Sequence, residues 1–382
     1  MTSERIQALI AEADNLPLGS LQVPLLEEAA NLADRLQDEE QGFAARHRLI
    51  YATWFAGSLD RSVVAFSWCL AYLDRHPNVG ADDLVLDSYR VVISALPDFV
   101  TLSLAQIDAA VDDLEARLQA KGRSPRTAAN CRWLVLVRTG RLAAAHDIAK
   151  SSRTFSKDAL WDDDDFEAVL EAYDAVYRQD RSKLETRLDH WLSHFWHEPV
   201  VRSSVLSLLL RVMVEQGRAK QARALFERVR RDVCQHALLI EQLGYLLIFA
   251  AGWAGPRQLR RLLEQAVQDA WQSCDHLGRL HVYLGGELVC RRWAMGSPGR
   301  RRKLRLPADF PLTTPDGWYE LPVLQAWFRS ECEQLMARFD ARNGNSFFTN
   351  FISQWRSDVE RQQDAGRADG DKETLPIDDP AA

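Results

Sequence analysis

Apolar residues recur along this chain at spacings of three and four, the period of one helix face, and short polar turns cut the runs at regular intervals. Residues 206–229, LSLLLRVMVEQGRAKQARALFERV, show the unit. One apolar run stops at Glu215-Gln216-Gly217-Arg218, and a second starts with Ala222, Leu225, Phe226 and Val229. Two helices joined by so short a turn fold back as an antiparallel hairpin. The punctuation recurs at Gly140-Arg141-Leu142, Asp180-Arg181-Ser182 and Gly255-Pro256-Arg257, in steps of 40, 37 and 38 residues through Gly217, so the hairpin is a repeat.

The period reaches back to the N-terminus. Residues 3–15 pair with 23–37, 41–56 with 61–75 and 81–96 with 104–120, with Ser3 as an N-cap, and Gly19 and Gly57 lie 38 residues apart. Val64, Ala65, Trp68 and Tyr72 form one apolar stripe on the fourth helix. Residues 238–251, the most apolar stretch, are too few to span a bilayer and read as a buried helix. An eighth turn falls at Gly296.

Beyond Gly296 the pattern changes. A basic segment, RRRKLRLP, leads into a Pro-rich loop, and two further helices are predicted over 323–341 and 346–362, separated by Asn343-Gly344-Asn345. Phe347, Phe348, Phe351, Ile352, Trp355 and Val359 give the last helix an apolar face suited to capping the open end of a helical stack. The last twenty residues, with six acids and two bases, read as a disordered tail. The expected organisation is a repeat domain over 1–296, a connector over 297–322, a helical cap over 323–362 and a tail over 363–382.

Composition narrows the class. With 47% hydrophobic and 26% charged residues, the 382-residue chain is expected to be globular, and its net charge of −7 implies no polyanion partner for the whole. The six cysteines show no CxxC and no zinc spacing, which points to buried thiols in a reducing compartment. With neither an apolar leader nor a membrane-spanning run, a cytoplasmic location is expected.

The hairpins resemble the tetratricopeptide repeat family, with units longer than its usual 34 residues. Gly217 in the turn, Ala222 as the small second-helix residue, then Phe226 and Val229 carry the resemblance most fully. Gly140, Leu142 and Ala145, Asp180 and Pro199, and Ala65 and Pro77 carry it in part, and it covers residues 1–296, best over 128–270. It implies an all-α right-handed superhelical solenoid of about seven to eight antiparallel hairpins. It further implies that exposed first-helix residues bind a protein or peptide in a concave groove. Through the turn alignment the groove residues are Asn130, Leu134 and Arg138; Asp174, Tyr177 and Arg178; Ser207, Arg211 and Glu215; Tyr245, Phe249 and Trp253; and Tyr283 and Trp293 beyond. The opposing expectation is that the aromatics pack between hairpins, since a slip of one residue turns a helical side chain by ~100°.

Three other clusters invite chemistry. His190, His194 and His197 stand at i, i+4 and i+7 and could bind a metal if their helix continues, but Pro199 marks a helix end where histidines serve as dipole partners. Trp161 and Asp162 to Asp165 precede a helix, and the acids fit its N-terminus better than a cation site. Arg300, Arg301, Arg302, Lys303 and Arg305 could hold phosphates; a solvated loop paired with nearby acids is preferred, so nucleic acid is disfavoured as a partner. No P-loop, GxGxxG, GxSxG or redox pair is present, and neither metal, cofactor nor enzymatic activity is expected. The leading expectation is a bacterial-type adaptor or scaffold that binds a protein or peptide. The alternatives are a ligand-responsive regulatory subunit and an RNA-associated helical repeat.

Overall fold

The computed structural model describes residues 3–77, 82–157, 164–194, 199–236, 239–296 and 301–370. Of the described residues, 79% are helical. Seven hairpins come first: α1 (Ser3–Asp14) with α2 (Val23–Leu36), α3 (Glu39–Phe55) with α4 (Leu59–Arg75), α5 (Asp82–Ala95) with α6 (Leu104–Ala120), α7 (Arg126–Arg138) with α8 (Leu142–Ser152), α9 (Asp164–Arg178) with α10 (Arg181–His194), α11 (Pro199–Glu215) with α12 (Ala219–Val233), and α13 (Ile240–Ala251) with α14 (Pro256–Gln272). A long helix, α15 (His276–Gly296), follows, then strands β1 (Arg301–Lys303) and β2 (Trp318–Glu320), and finally α16 (Leu321–Asn343) and α17 (Phe347–Gly370).

Local chemistry sets the boundaries. Asp38 caps α3 by accepting from the Gln41 amide, and Ser103 with Gln106 forms a capping box on α6. Gly57, Gly140 and Gly217 turn their hairpins at φ of 74°, 72° and 76°, values that carry no steric cost for glycine. The turn at Asp180 lacks a glycine, and Gln179 takes the left-handed conformation there at φ 56°. Asp180 Oδ1 then accepts from the Lys183 amide at 3.0 Å to start α10.

The chain divides into two compact units, one of residues 1–240 with 272–277 and one of 241–271 with 278 onward. In the first, most neighbouring helices pack in sequence, and the odd-numbered helices α1, α3, α5, α7, α9 and α11 also touch one another in order. Such adjacent-helix packing is consistent with a helical repeat. A continuous apolar core runs through α1 to α7, including Leu9, Leu26, Ile50, Cys69, Ile93, Val111 and Val135.

Polar bonds between hairpins repeat the same period. Arg48 Nε donates to Asp14 at 2.8 Å, Arg138 Nη2 to Asp98 at 2.6 Å and Arg126 Nε to Glu167 at 2.7 Å, while the Tyr51 hydroxyl donates to Asp87 and Arg178 to the Leu142 carbonyl. These pairs are 34 to 41 residues apart. Each ties a residue to the hairpin one step away, as stacking requires.

The second unit is closed by tight crossings. An added Cβ at Gly244 on α13 would stand 2.5 Å from the Cβ of His281 on α15, and one at Gly285 on α15 would stand 2.8 Å from Leu247. Glycine lets these backbones approach. The carboxylate of Glu287, 1% exposed, accepts from Arg329 at 2.6 Å and from Arg356 at 2.9 Å, so α15 holds both closing helices. The last helix runs past the expected end at 362: Gln363 is buried and donates to the Ala251 and Leu288 carbonyls at 3.0 Å, which makes 363–370 helix rather than tail. The ribbon of β1 and β2, pairing Arg302 with Tyr319, was not anticipated in the connector. The remaining tail residues, 371–382, lie outside the described residues. Among the described residues no helix is long and apolar enough to cross a membrane.

Candidate functional site

The residues expected to line a groove separate by exposure. Asn130, Leu134, Arg138, Asp174, Tyr177, Ser207, Tyr245, Phe249, Tyr283 and Trp293 are buried, Arg178, Arg211 and Trp253 are half-buried, and Glu215 is exposed. The buried group follows from the odd-numbered row. Along α7 only Ala129 and Arg132 are even partly exposed, because helices pack on nearly every side of it.

Each buried polar member has an internal role. Arg138 is bound to Asp98, and its guanidinium lies 5.7 Å from the Tyr173 ring centroid. Asn130 Nδ2 donates to Glu167 Oε1 at 3.1 Å, beside the two bonds from Arg126 to the same carboxylate. Burial pushes the Glu167 carboxyl up, but the hydrogen bonds from Arg126 and Asn130 outweigh it and hold the group below the usual carboxylate range. Asp174 accepts from Arg178 Nε at 2.6 Å, one turn along α9. The Tyr245 hydroxyl donates to Glu241 at 2.5 Å, and its ring packs against His281 at 4.6 Å and Trp355 of α17 at 5.2 Å. The helix expected to cap the stack thus covers a residue expected to meet a partner. Arg211 and Glu215, paired at 2.7 Å along the end of α11, remain within reach of solvent.

The other candidates are placed as follows. His190 is exposed on α10, His194 is the last residue of that helix and His197 lies outside the described residues. Trp161, Asp162 and Asp163 also lie outside them, and Asp164 is the first residue of α9. Among the described residues no three His, Cys, Asp or Glu side chains form a metal-binding group. Arg300 lies outside the described residues. Arg301 pairs with Glu320 at 3.1 Å and Asp316 at 3.4 Å, the Arg302 guanidinium lies 5.8 Å from the Trp293 centroid, Lys303 pairs with Trp318 across the ribbon, and the Arg305 amide donates to Glu264 at 2.9 Å. The described part of the connector, 301–322, is therefore held by a two-stranded ribbon and by bonds to nearby acids. Burial pushes the thiols of Cys69, Cys131 and Cys332 up to about 12, which keeps them protonated and unreactive at neutral pH.

The sequence reading passed over one surface. On α12, Ala222, Leu225, Phe226, Val229 and Val233 are buried, and Lys220, Arg223, Arg228 and Arg231 are exposed on the far side. The cation spacing was available in the sequence; what the structure adds is that these side chains are exposed. Compared as a whole, the chain matches no protein-family model and no curated protein.

Proposed function

We propose that this protein is a non-enzymatic scaffold, built as a tetratricopeptide-like solenoid of seven hairpins with a helical cap, that binds another protein. The observation that supports this reading most is how the chain uses its side chains. Buried arginines, tyrosines and carboxylates bond one hairpin to the next at the repeat spacing, as Arg138 does with Asp98 and Arg126 with Glu167. What remains for recognition is a set of half-exposed and exposed polar residues. Arg178, Arg211 and Glu215 are the members of the expected partner-facing set that combine charge with access, and an arginine fork of this kind recognises carboxylates well.

The test is affinity capture by the full-length protein from its native lysate, with the bound material identified by mass spectrometry and ultraviolet absorbance. One dominant protein is expected with the wild type, reduced about tenfold when Arg211 and Glu215 are both replaced by Ala, a loss of ~1.4 kcal/mol. Nucleic acid alone, or the same capture by the folded variant, would refute the reading.

A further inference from the structure

The ribbon of β1 and β2 presents two different faces. Residues directly opposite each other in an antiparallel pair point to the same side, and the register pairs Arg301 with Glu320, Arg302 with Tyr319 and Lys303 with Trp318. Tyr319 is buried and Arg302 half-buried, so that pair faces inward. Leu304, also buried, extends the ladder by donating its amide to the Gly317 carbonyl at 2.9 Å. Arg301, Lys303, Trp318 and Glu320 are exposed on the other face, and Arg305 continues it two residues beyond Lys303. The Trp318 side chain is 40% exposed, and among the described residues no ring or cation is stacked on it.

The acids around this face are already engaged. Asp316 and Glu320 pair with Arg301 at 3.4 and 3.1 Å, and Glu264 of α14 accepts from the Arg305 amide at 2.9 Å and stands 3.7 Å from Arg260 Nε. The side chains of Lys303 and Arg305 bond none of these acids, nor any other described residue. Arg261, exposed on the turn of α14 before Glu264, is likewise unpaired among the described residues. The folded connector thus leaves Lys303, Arg305 and Arg261 beside an uncovered indole.

We infer that this outer face of the ribbon docks a short acidic segment of a protein partner, one that carries an aromatic residue among its carboxylates. The inference rests on the scaffold reading and names the chemistry of the partner. Cross-strand pairing sets the Cβ atoms of Lys303 and Trp318 ~5 Å apart, so a ring seated on the indole brings an adjacent carboxylate to the ammonium. Arg305 follows ~7 Å along the strand, the spacing of alternate residues in an extended peptide. Carboxylates on alternate residues therefore meet Lys303 and Arg305 in turn, and the arginine fork pairs bidentately with its share. Tryptophan and arginine are also the side chains that most often anchor an interface. A nucleic-acid strand fits this face less well. It brings a negative charge with every nucleotide, which Asp316 and Glu320 on the same ribbon repel, whereas a peptide can present neutral side chains there.

The experiment uses the full chain and a fluorescently labelled peptide of about ten residues, glutamates with a pair of phenylalanines, followed by polarisation at ~0.15 M salt, where exposed charges beyond ~8 Å are screened. The wild type is expected to bind it. Trp318→Ala is expected to weaken binding about fivefold, and replacing the peptide's phenylalanines by serine to cost the wild type about as much. Lys303→Glu with Arg305→Glu is expected to weaken binding about tenfold or more, since it sets like charges against each other. An unchanged circular dichroism spectrum and unfolding midpoint would show that these variants fold. If the double reversal does not fold, Lys303→Gln with Arg305→Gln supplies the comparison, with a loss of about threefold expected. Reversal of Lys150 on α8 and Arg338 on α16, exposed cations of other helices, is expected to leave binding within about twofold. No binding by the wild type, no loss from the ribbon variants, unchanged binding of the serine peptide, equal loss from the control reversal, or tighter binding of an oligouridylate of similar length would each overturn the inference. Failure here with intact capture of a lysate protein would count against the ribbon surface alone, and failure of both would count against the scaffold itself.

Discussion

The bridge between Arg126 and Glu167 shows how single residues work in this chain. Arg126 is 8% exposed, so its charge depends on the carboxylate that meets it from α9. Because the folded-state carboxyl titrates below its ordinary range, the bridge stabilises the fold above the unfolded value of ~4.3, and the contribution is lost as pH falls through the lower folded value. Glu167→Gln is expected to lower stability by about 2 kcal/mol near pH 7, the scale for a hydrogen-bonded charge left with a neutral partner. The gap between wild type and variant should close below about pH 4. Urea unfolding midpoints measured across that range check both the size and the sign; a gap that widened on acidification would contradict the account. At this scale the sequence was least informative. Asn130 and Arg138 were read as partner-facing from their position after a turn, yet they bond inward, because spacing along one helix does not reveal how many others surround it.

Elements were far more legible than individual contacts. The hairpins from α1 to α14 fall where periodic apolar runs and turn residues put them, since a stripe at helical spacing and a glycine in the turn are local signals. The ribbon of β1 and β2 was missed because three-residue strands leave no periodicity to detect. The extension of α17 to Gly370 was missed for a different reason. Its polar residues, among them Gln363, find partners on α13 and α15 that a linear reading takes for solvent. The glycine crossings yield a prediction at the same scale. Gly244→Ala puts a methyl group against the backbone and Cβ of His281, so α13 and α15 must separate. We expect a loss of about 2 kcal/mol, within the range for an overpacked core, read as a lower urea midpoint. An unchanged midpoint would show that the crossing is not tight.

On the scale of the whole molecule, function depends on which faces are left after the hairpins have bonded to one another. A repeat unit cannot bury its apolar stripe alone, so stacking takes the apolar surface and the partners of many buried charges, and recognition falls to residues that stacking leaves exposed. The end of α11, with Arg211 half-buried and Glu215 exposed, is such a place in the first unit. The repeat-like packing of adjacent helices was legible from the periodicity, but the accessible surface was not, because access depends on neighbours rather than on the helix that carries a residue. The central claim is that a protein occupies this scaffold. The most direct measurement is light scattering coupled to size-exclusion chromatography on the tagged chain purified gently from its native source. The account predicts a complex heavier than the 43.4 kDa chain, with a second protein in fixed proportion and a protein-like absorbance ratio. Elution of the chain alone, or with nucleic acid as its sole companion, would contradict it.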